Sequence, residues 1–451
     1  MADENLLASR RDFVAAAGAI AATGALTSLS NAQDKPAANT SGGETIKVAL
    51  VGCGGRGSGA AANALDADPR VKIVAMADVF KDRLEGSLNN LKSKHPDRVD
   101  VGDRQFLGFD AYKEIMKQDV TYVICATPPH FRPYHIQAAV EAKKNVFTEK
   151  PVGVDPWGIR TVLAAGEKAK ELGLSIVAGT QRRHQGPYVE AAKRVRDGAI
   201  GKVLSARAYW NQTQLWYKER QREWSDMEWM IRDWVNWCWL SGDHICEQHV
   251  HNLDVINWFM TESRQSATPV HPVRAVGMGG RAHRVTGDQY DYFAVDYYYD
   301  DGTHMASYCR QVNDCDQNVS EAIIGEKGSL NTHGGFTLMS NGQRVSFGGG
   351  AGGGGKGKGR RGGGIPGYHP DPYVQEHKDL IDSITNNKKL NEAANVATTT
   401  MTAILGRVAA YTGKEVAWDD LLKSDLRLGP KEYNFDVKLP ENVKPPVPGR
   451  A

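Results

Sequence analysis

"IKVALVGCGGRG" (46–57) opens on a short apolar run and closes on Gly52-Cys53-Gly54-Gly55-Arg56-Gly57, which fits G-x-G-x-x-G. The Ala-rich stretch behind it, up to Leu65, reads as a helix. "VKIVAMAD" (71–78) reads as a second strand ending in Asp78. The glycine pattern alone is a weak signal. Strand, glycine turn, helix, strand and terminal acid, in that order, predict a dinucleotide site. Gly52 allows the tight turn, Gly54 lets backbone approach a pyrophosphate, and Gly57 lets helix and strand pack. Gly55 and Arg56 complete the turn, and the helix N-terminus meets the phosphates. Asp78 offers a carboxylate to an adenosine ribose and repels a 2′-phosphate, so NAD is expected ahead of NADP. Lys81 and Arg83 stand close enough to weaken that preference.

The alternation continues. "VTYVICAT" (120–127), "NVFTEKP" (145–151) and "LSIVAG" (174–179) read as strands, with helices over 131–142 and 156–172 between them. This is the pattern of an α/β, doubly wound parallel sheet of Rossmann type. Ligands in such sheets sit beyond the C-terminal strand ends. That places the glycine turn, "ATPPH" (126–130) and "TEKP" (148–151) around one cleft. Thr127, Pro128, His130, Glu149 and Lys150 join the cofactor wall, and the reacting atom of a substrate belongs near Lys150.

The rest of the chain bounds the setting. With 451 residues, two domains are expected: a nucleotide domain over 46–180 and a second over 181–428, followed by a tail, 429–451. Fifty-five basic residues against 53 acidic ones point to neither a nucleic-acid nor a membrane surface. Six cysteines without a CxxC pair are too few for a disulfide framework, so free buried thiols are expected. "SRRDFVAAAGAIAATGAL" (9–26) puts Arg10-Arg11 before a weakly apolar run that is too short to span a bilayer and ends in Ser30-Asn31-Ala32. It reads as a twin-arginine signal over 1–32, with a linker over 33–45. Export to the periplasm by the twin-arginine machinery, which carries folded proteins, is therefore expected. "GGGAGGGGKGKGRRGGG" (348–364) is low in complexity and reads as a mobile insertion.

The glycine turn, "ATPPHFRPYHIQAAVEAKKNVFTEKP" (126–151) and "GAIGKV" (198–203) together resemble the Gfo/Idh/MocA oxidoreductases, relatives of glucose–fructose oxidoreductase and inositol dehydrogenase. The resemblance runs from Ile46 to about Leu428, and Glu-Lys-Pro at 149–151 is its most specific mark. It implies an N-terminal nucleotide domain and a C-terminal α/β domain. The second carries a large open, mostly antiparallel sheet that often mediates homo-oligomers. Strand-like alternation at 203–211, 290–299 and 303–311 and helical patterns at 373–386 and 393–413 agree with it.

"SGDHICEQHVHNLDVINWFM" (241–260) has helical periodicity. On one helix Glu247, His251 and Asp254 share a stripe, with His244 before and Trp258 after. The family usually shows Asp-x-Gly-x-His here, and this chain has Glu247-x-His249-x-His251. The resemblance implies His251 as acid/base and Lys150 as donor to the substrate hydroxyl oxygen. Glu247 would orient substrate and tune His251, and His249 would narrow or polarise the pocket. A metal site built from His244, Cys246, Glu247, His249 and His251 is the competing idea. Only His244, Glu247 and His251 converge on a helix, so no metal is expected.

Eight of the ten tryptophans fall between 210 and 258. Interleaved with Arg222, Asp226, Glu228, Arg232, Asp233 and Asn236, they read partly as core and partly as a platform for a carbohydrate or polyol, with Trp234 in that platform. "GTQRRHQGPY" (179–188) brings Arg182 and Arg183 to the same cleft, and His377 stands at its rim. The expected protein is an exported oxidoreductase that loads NAD before export and holds it tightly in a closed redox cycle. One such cycle oxidises one sugar and reduces another. The other passes through a transient keto-sugar, as in an NAD-dependent glycosidase or lyase. A metal-dependent hydrolase or isomerase and a non-catalytic sugar-binding protein are the alternatives from other classes.

Overall fold

Apolar runs that are buried on both faces build the first sheet. In the computed structural model, which describes residues 43–347, 367–440 and 443–449, its strands are β1 (Ile46–Val51), β2 (Val71–Asp78), β3 (Gln105–Leu107), β4 (Tyr122–Cys125), β5 (Asn145–Thr148) and β6 (Ile176–Ala178), of which the edge strand β3 is largely exposed. They pair in parallel in the order β3-β2-β1-β4-β5-β6. Helices α1 (Gly55–Ala67), α2 (Lys81–Lys94), α3 (Ala111–Met116), α4 (Arg132–Glu141) and α5 (Pro156–Glu171) connect them. Ala49, Val51, Ala75 and Val123 face one apolar layer, and Val48, Leu50, Ile73 and Ile124 face the other. Double coverage of this kind explains the uninterrupted apolar reading of the inner strands. The expected signal (1–32), all but the last residues of the expected linker, and the glycine-rich insertion (348–364) lie outside the described residues.

After α6 (Gly186–Arg196), β7 (Val203–Gln212) enters the second sheet. Four short helical pieces follow: α7 (Asp226–Arg232), α8 (Cys238–Ser241), α9 (His244–Glu247) and α10 (Val250–Ser263). Strands β8 (Arg274–Gly280), β9 (Tyr292–Tyr298), β10 (His304–Gln311), β11 (Asn318–Gly325), β12 (Gly328–Asn331), β13 (Phe336–Ser340) and β14 (Gln343–Phe347) complete most of it. Beyond the insertion come α11 (Pro372–Thr385), α12 (Ala393–Thr412), β15 (Val416–Ala417) and α13 (Trp418–Lys423). The nine strands run β14-β13-β12-β11-β7-β10-β9-β8-β15; β7 and β10 are parallel and the other pairs antiparallel. Period-two alternation puts Ala208, Trp210, Val295, Met305 and Cys309 on the inner face, beneath Leu253, Ile256 and Phe259 of α10 and Met401 and Leu405 of α12.

Three expectations change here. The stretch 241–260 is not one helix. Gly242 (φ +80°) ends α8, Asp243 (φ +69°) caps α9 through His244 N at 2.5 Å, and Gln248 and His249 separate α9 from α10. Helix α11 does not stay with the second sheet. Its Leu380, Ile381 and Ile384 pack with Val48, Leu50 and Phe147 of the first. His377 is accordingly in the core and not at a rim, stacked on Phe147 at 4.1 Å. All six cysteines are free; five are buried and Cys315 is exposed. Among the described residues no helix is long and apolar enough to cross a membrane.

Candidate active site

The cleft begins at the glycine turn. Gly52 has φ +96°, and a Cβ there would lie 2.7 Å from Thr127 N. A Cβ on Gly57 would lie 1.8 Å from Gly52 O, so the turn and α1 touch only because both positions are glycine. A Cβ on Gly54 or Gly55 would meet nothing within 4 Å, which leaves open space at the N-terminus of α1 where a pyrophosphate fits. Asp78 sits beside the turn. Its Oδ2 accepts from Cys53 N at 2.6 Å and its Oδ1 from Phe80 N at 2.8 Å. Burial pushes its carboxyl up, and these two hydrogen bonds oppose that. Asp78 therefore fixes the turn and also faces the cavity. Lys81 points away, to Glu85 at 3.6 Å, whereas Arg83 lines the cavity with Phe80, Phe109 and Tyr112.

The roof of this cavity comes from the tryptophan-rich stretch. Trp216, Ile231, Arg232 and Trp234 close over the nucleotide walls. Trp229 stacks edge-on against Trp237 at 5.2 Å, and Trp229 Nε1 donates to Lys218 O at 2.9 Å. Buried Asp233 holds the stretch together by accepting from Lys218 N at 2.7 Å and Asn236 Nδ2 at 2.8 Å; burial pushes it up to about 6. Trp234 thus roofs the nucleotide cleft, where a sugar platform was expected, and the region 213–240 is a lid.

At the far end, Lys150 follows β5. Its Nζ donates to Glu247 O at 2.5 Å and stands 3.4 Å from Glu247 Oε1. Gln248 binds the other carboxylate oxygen. His251, at the start of α10, stacks against Trp210 with ring centroids 5.8 Å apart. Burial first, then the cations Lys150, Arg182 and Arg56, hold its imidazole well below its usual range, so it is neutral at neutral pH. No hydrogen bond holds the His251 ring among the described residues. Trp210 was not singled out beyond its place in the tryptophan count, yet it faces His251, and its buried Nε1 has no partner. The inward phase of β7, in which Ala206, Ala208 and Trp210 alternate, was the signal for it.

Other expected residues have different partners. Arg56 lines the cavity, with its guanidinium engaged by Glu149 at 2.6 Å and Glu376 at 3.0 Å and stacked on the Tyr373 ring at 4.7 Å. Glu149 is accordingly an anchor behind the cofactor wall. Thr127 and Pro128 do line the cavity. His130 does not; its Nε2 bonds Tyr433 Oη of the tail at 2.7 Å. Arg182 is buried against Glu321 at 2.6 Å, and Arg183 clasps Asp254 at 2.8 Å, with Thr399 on the same carboxylate. Arg182 is thus spent on Glu321, and Arg183 and Asp254 on each other. His249 Nε2 bonds Ser307 Oγ at 2.7 Å in the core of the second sheet, so it does not narrow the pocket. His244 is buried against Phe293, with both ring nitrogens unpartnered. Among the described residues no group of three or more His, Cys, Asp or Glu is arranged to hold a metal ion.

A glycine-built phosphate cradle at the C-terminal edge of a parallel sheet, joined to a second, mostly antiparallel sheet, defines a Rossmann-type dinucleotide-binding protein. Residues 46–176 match the model of the GFO_IDH_MocA family, described as "Oxidoreductase family, NAD-binding Rossmann fold". A relative is the scyllo-inositol 2-dehydrogenase (NAD(+)) of Bacillus subtilis (strain 168), 28% identical over 159 residues, which are 35% of this chain and 42% of that protein. The chain spans about half the length of the curated relatives it matches. Two solved structures share the fold over most of the chain. One is the scyllo-inositol dehydrogenase of Lactobacillus casei with bound NAD(H) and scyllo-inositol (TM-score 0.59, 20% identity, 84% of this chain and 100% of that one). The other is the aldose-aldose oxidoreductase of Caulobacter crescentus complexed with glycerol (TM-score 0.63, 15% identity, 83% and 100%). The cradle at Gly52, Gly54 and Gly55, with Asp78 beside it, fits NAD.

Proposed function

We propose that the protein oxidises a carbinol of a sugar, polyol or glycoside, with NAD held between the glycine turn and the lid. The observation that carries this reading is the meeting of Lys150, Glu247 and His251 beyond the end of β5, where Arg56 of the glycine turn is also near enough to act on the His251 ring. Bound NAD would supply the hydride acceptor. Neutral His251, whose ring is otherwise unbound, takes the hydroxyl proton. Lys150 donates to the hydroxyl oxygen and holds the negative charge that develops there. Glu247 fixes the Lys150 ammonium through both its carbonyl and its carboxylate. The Trp210 ring offers a flat apolar floor, and its free Nε1 offers a donor for a second hydroxyl.

The export reading goes with this chemistry. We take residues 1–32 as a twin-arginine signal, so that the protein folds around NAD in the cytoplasm and works in the periplasm. No cytoplasmic pool then refreshes the cofactor, and the cycle closes on the enzyme. The name of the Caulobacter neighbour, an aldose-aldose oxidoreductase, supports the first of the two closed cycles. The second, oxidation followed by elimination or hydrolysis and reduction, uses the same three residues. Homo-oligomers form through the outer face of the second sheet, where Val276, Met278, Tyr292, Tyr308 and Ile324 are exposed. The decisive experiment is mass spectrometry of small molecules released by denaturing the exported protein, followed by single-turnover reduction of bound NAD with a panel of aldoses, inositols and glycosides. Absence of NAD, or no reduction by any polyol, overturns the reading.

A further inference from the structure

A third apolar cluster joins three distant stretches of chain. Phe80 belongs to the nucleotide domain, and Met227, Met230, Ile231, Trp237 and Leu240 to the lid. Tyr433, Val437 and Leu439 of the tail pack against them. We propose that the tail from Gly429 to Leu439 is a clasp that governs cofactor exchange by holding the lid over the adenosine end of the cleft. This rests on the reading of the cleft as an NAD site.

The tail is built into the site at both ends. It enters at Gly429 (φ +92°), where a Cβ would lie 2.8 Å from His130 Cε1 and 3.0 Å from Trp239 Cε3, so only glycine passes. Tyr433 Oη then bonds His130 at 2.7 Å and Tyr134 Oη at 3.3 Å. The Phe435 ring lies 5.9 Å from that of Phe80 and 5.3 Å from that of Phe109. Leu439 N reaches the lid, donating to Asp226 Oδ2 at 3.1 Å, while Arg220 holds the other carboxylate oxygen at 2.7 Å. Phe80 and Phe109 line the cofactor cavity and also stack on the tail. The same two rings therefore meet the cofactor and the clasp. Apart from the tail, Arg232 ties the lid to this wall among the described residues: it pairs with Asp82 at 3.0 Å and covers the Phe80 ring at 3.9 Å. Asp82 is exposed, and an exposed pair of this kind is a weak latch. Peeling the tail from Gly429 to Leu439 is a slower event than breaking it.

The test compares the full chain with a form ending at Leu428 and with the double variant Tyr433→Ala, Phe435→Ala. Added NADH is loaded, and its release into excess NAD is followed by loss of energy transfer from the lid tryptophans. The double variant should release NADH about tenfold faster, with little change in association, because losses of interface contacts appear mainly in the off-rate. Phe435→Leu with Tyr433 retained should restore most of the slow release. The double variant keeps the test valid if the truncated form does not fold. Equal release rates in the full chain and the double variant overturn the clasp and leave the oxidoreductase reading standing. Failure of the full chain to bind NADH at all overturns both.

Discussion

The two ends of the cleft are built by opposite means. At the cofactor end the walls are backbone and rings: Gly52, Gly54 and Gly57, an aspartate tied to two amides, and a roof of Trp216, Ile231 and Trp234. At the reacting end they are charged side chains with little access to water, each held by another: Lys150 by Glu247, Arg182 by Glu321, Arg183 by Asp254. The first end is defined by shape, so it should resist changes of charge and fail at an added methyl group. The second is defined by charge, so it should accept small changes of volume and fail when a charge or proton acceptor is lost.

The largest effect should come from the reacting end. His251→Ala should lower the single-turnover rate about 10²–10⁴-fold and Lys150→Ala about 10²–10³-fold, both with NAD still bound. The double variant should lose far less than the product, because both groups act on one proton transfer. Wild-type rates in both single variants would break the comparison. At the cofactor end, Gly57→Ala puts a Cβ 1.8 Å from Gly52 O. It should cost about 2–4 kcal/mol of stability and strip NAD from the purified protein, as calorimetry and cofactor content would show.

Acid should act on the scaffold before it acts on either end. Burial holds His130, His135 and His249 at about 3, below an ordinary 6.5. A depressed histidine contributes stability that is complete above pH 6.5 and is lost as pH falls toward its folded value. Asp233 and Asp288 are pushed up to about 6 by burial, so their contribution runs the other way: it is present at low pH and lost as pH rises through 6. With more depressed histidines than raised aspartates, acidification from pH 7 to pH 5 should destabilise the protein, and Asp233→Asn should steepen the loss. A flat unfolding curve over that range would contradict it.

The smallest effect sharpens the cofactor end. Asp78→Ala leaves the amides of Cys53 and Phe80 without their acceptor. Stability should fall by about 1–3 kcal/mol while discrimination against NADP relaxes. Asp78→Asn keeps an acceptor at the turn and should relax discrimination at lower cost. Equal NAD and NADP binding in the wild type would assign the choice to Arg83 instead.

The inner strands of the parallel sheet were readable because they are buried on both faces and show as unbroken apolar runs; edge strand β3, largely exposed, has no such run and was not read. The glycine turn was readable because its spacing is set by backbone contact. Lys150 and His251 came from a family pattern, and the structure brings them to one place. What escaped was long-range or depended on orientation. Nothing local in "QRRH" shows that Arg183 will meet Asp254, or that Arg56 will meet a glutamate more than three hundred residues on. The periodicity of 241–260 runs straight through a break that Asp243 and Gln248 impose. Composition showed that the region 213–240 has an aromatic face but not what it would cover. In the tail, Tyr433, Phe435, Val437 and Leu439 recur at every second position, a usable signal that a tail assignment passes over.

Helix α11 also sets a clock. The second face of the nucleotide sheet is covered by Leu380, Ile381 and Ile384, which emerge from the ribosome long after β6. At about 5–20 residues per second the half-covered sheet waits tens of seconds for its last layer. The nucleotide domain is first in the chain but among the last parts to be finished, and a fragment cut after residue 180 would expose an apolar face. A chain wired in this way matures as a whole or not at all.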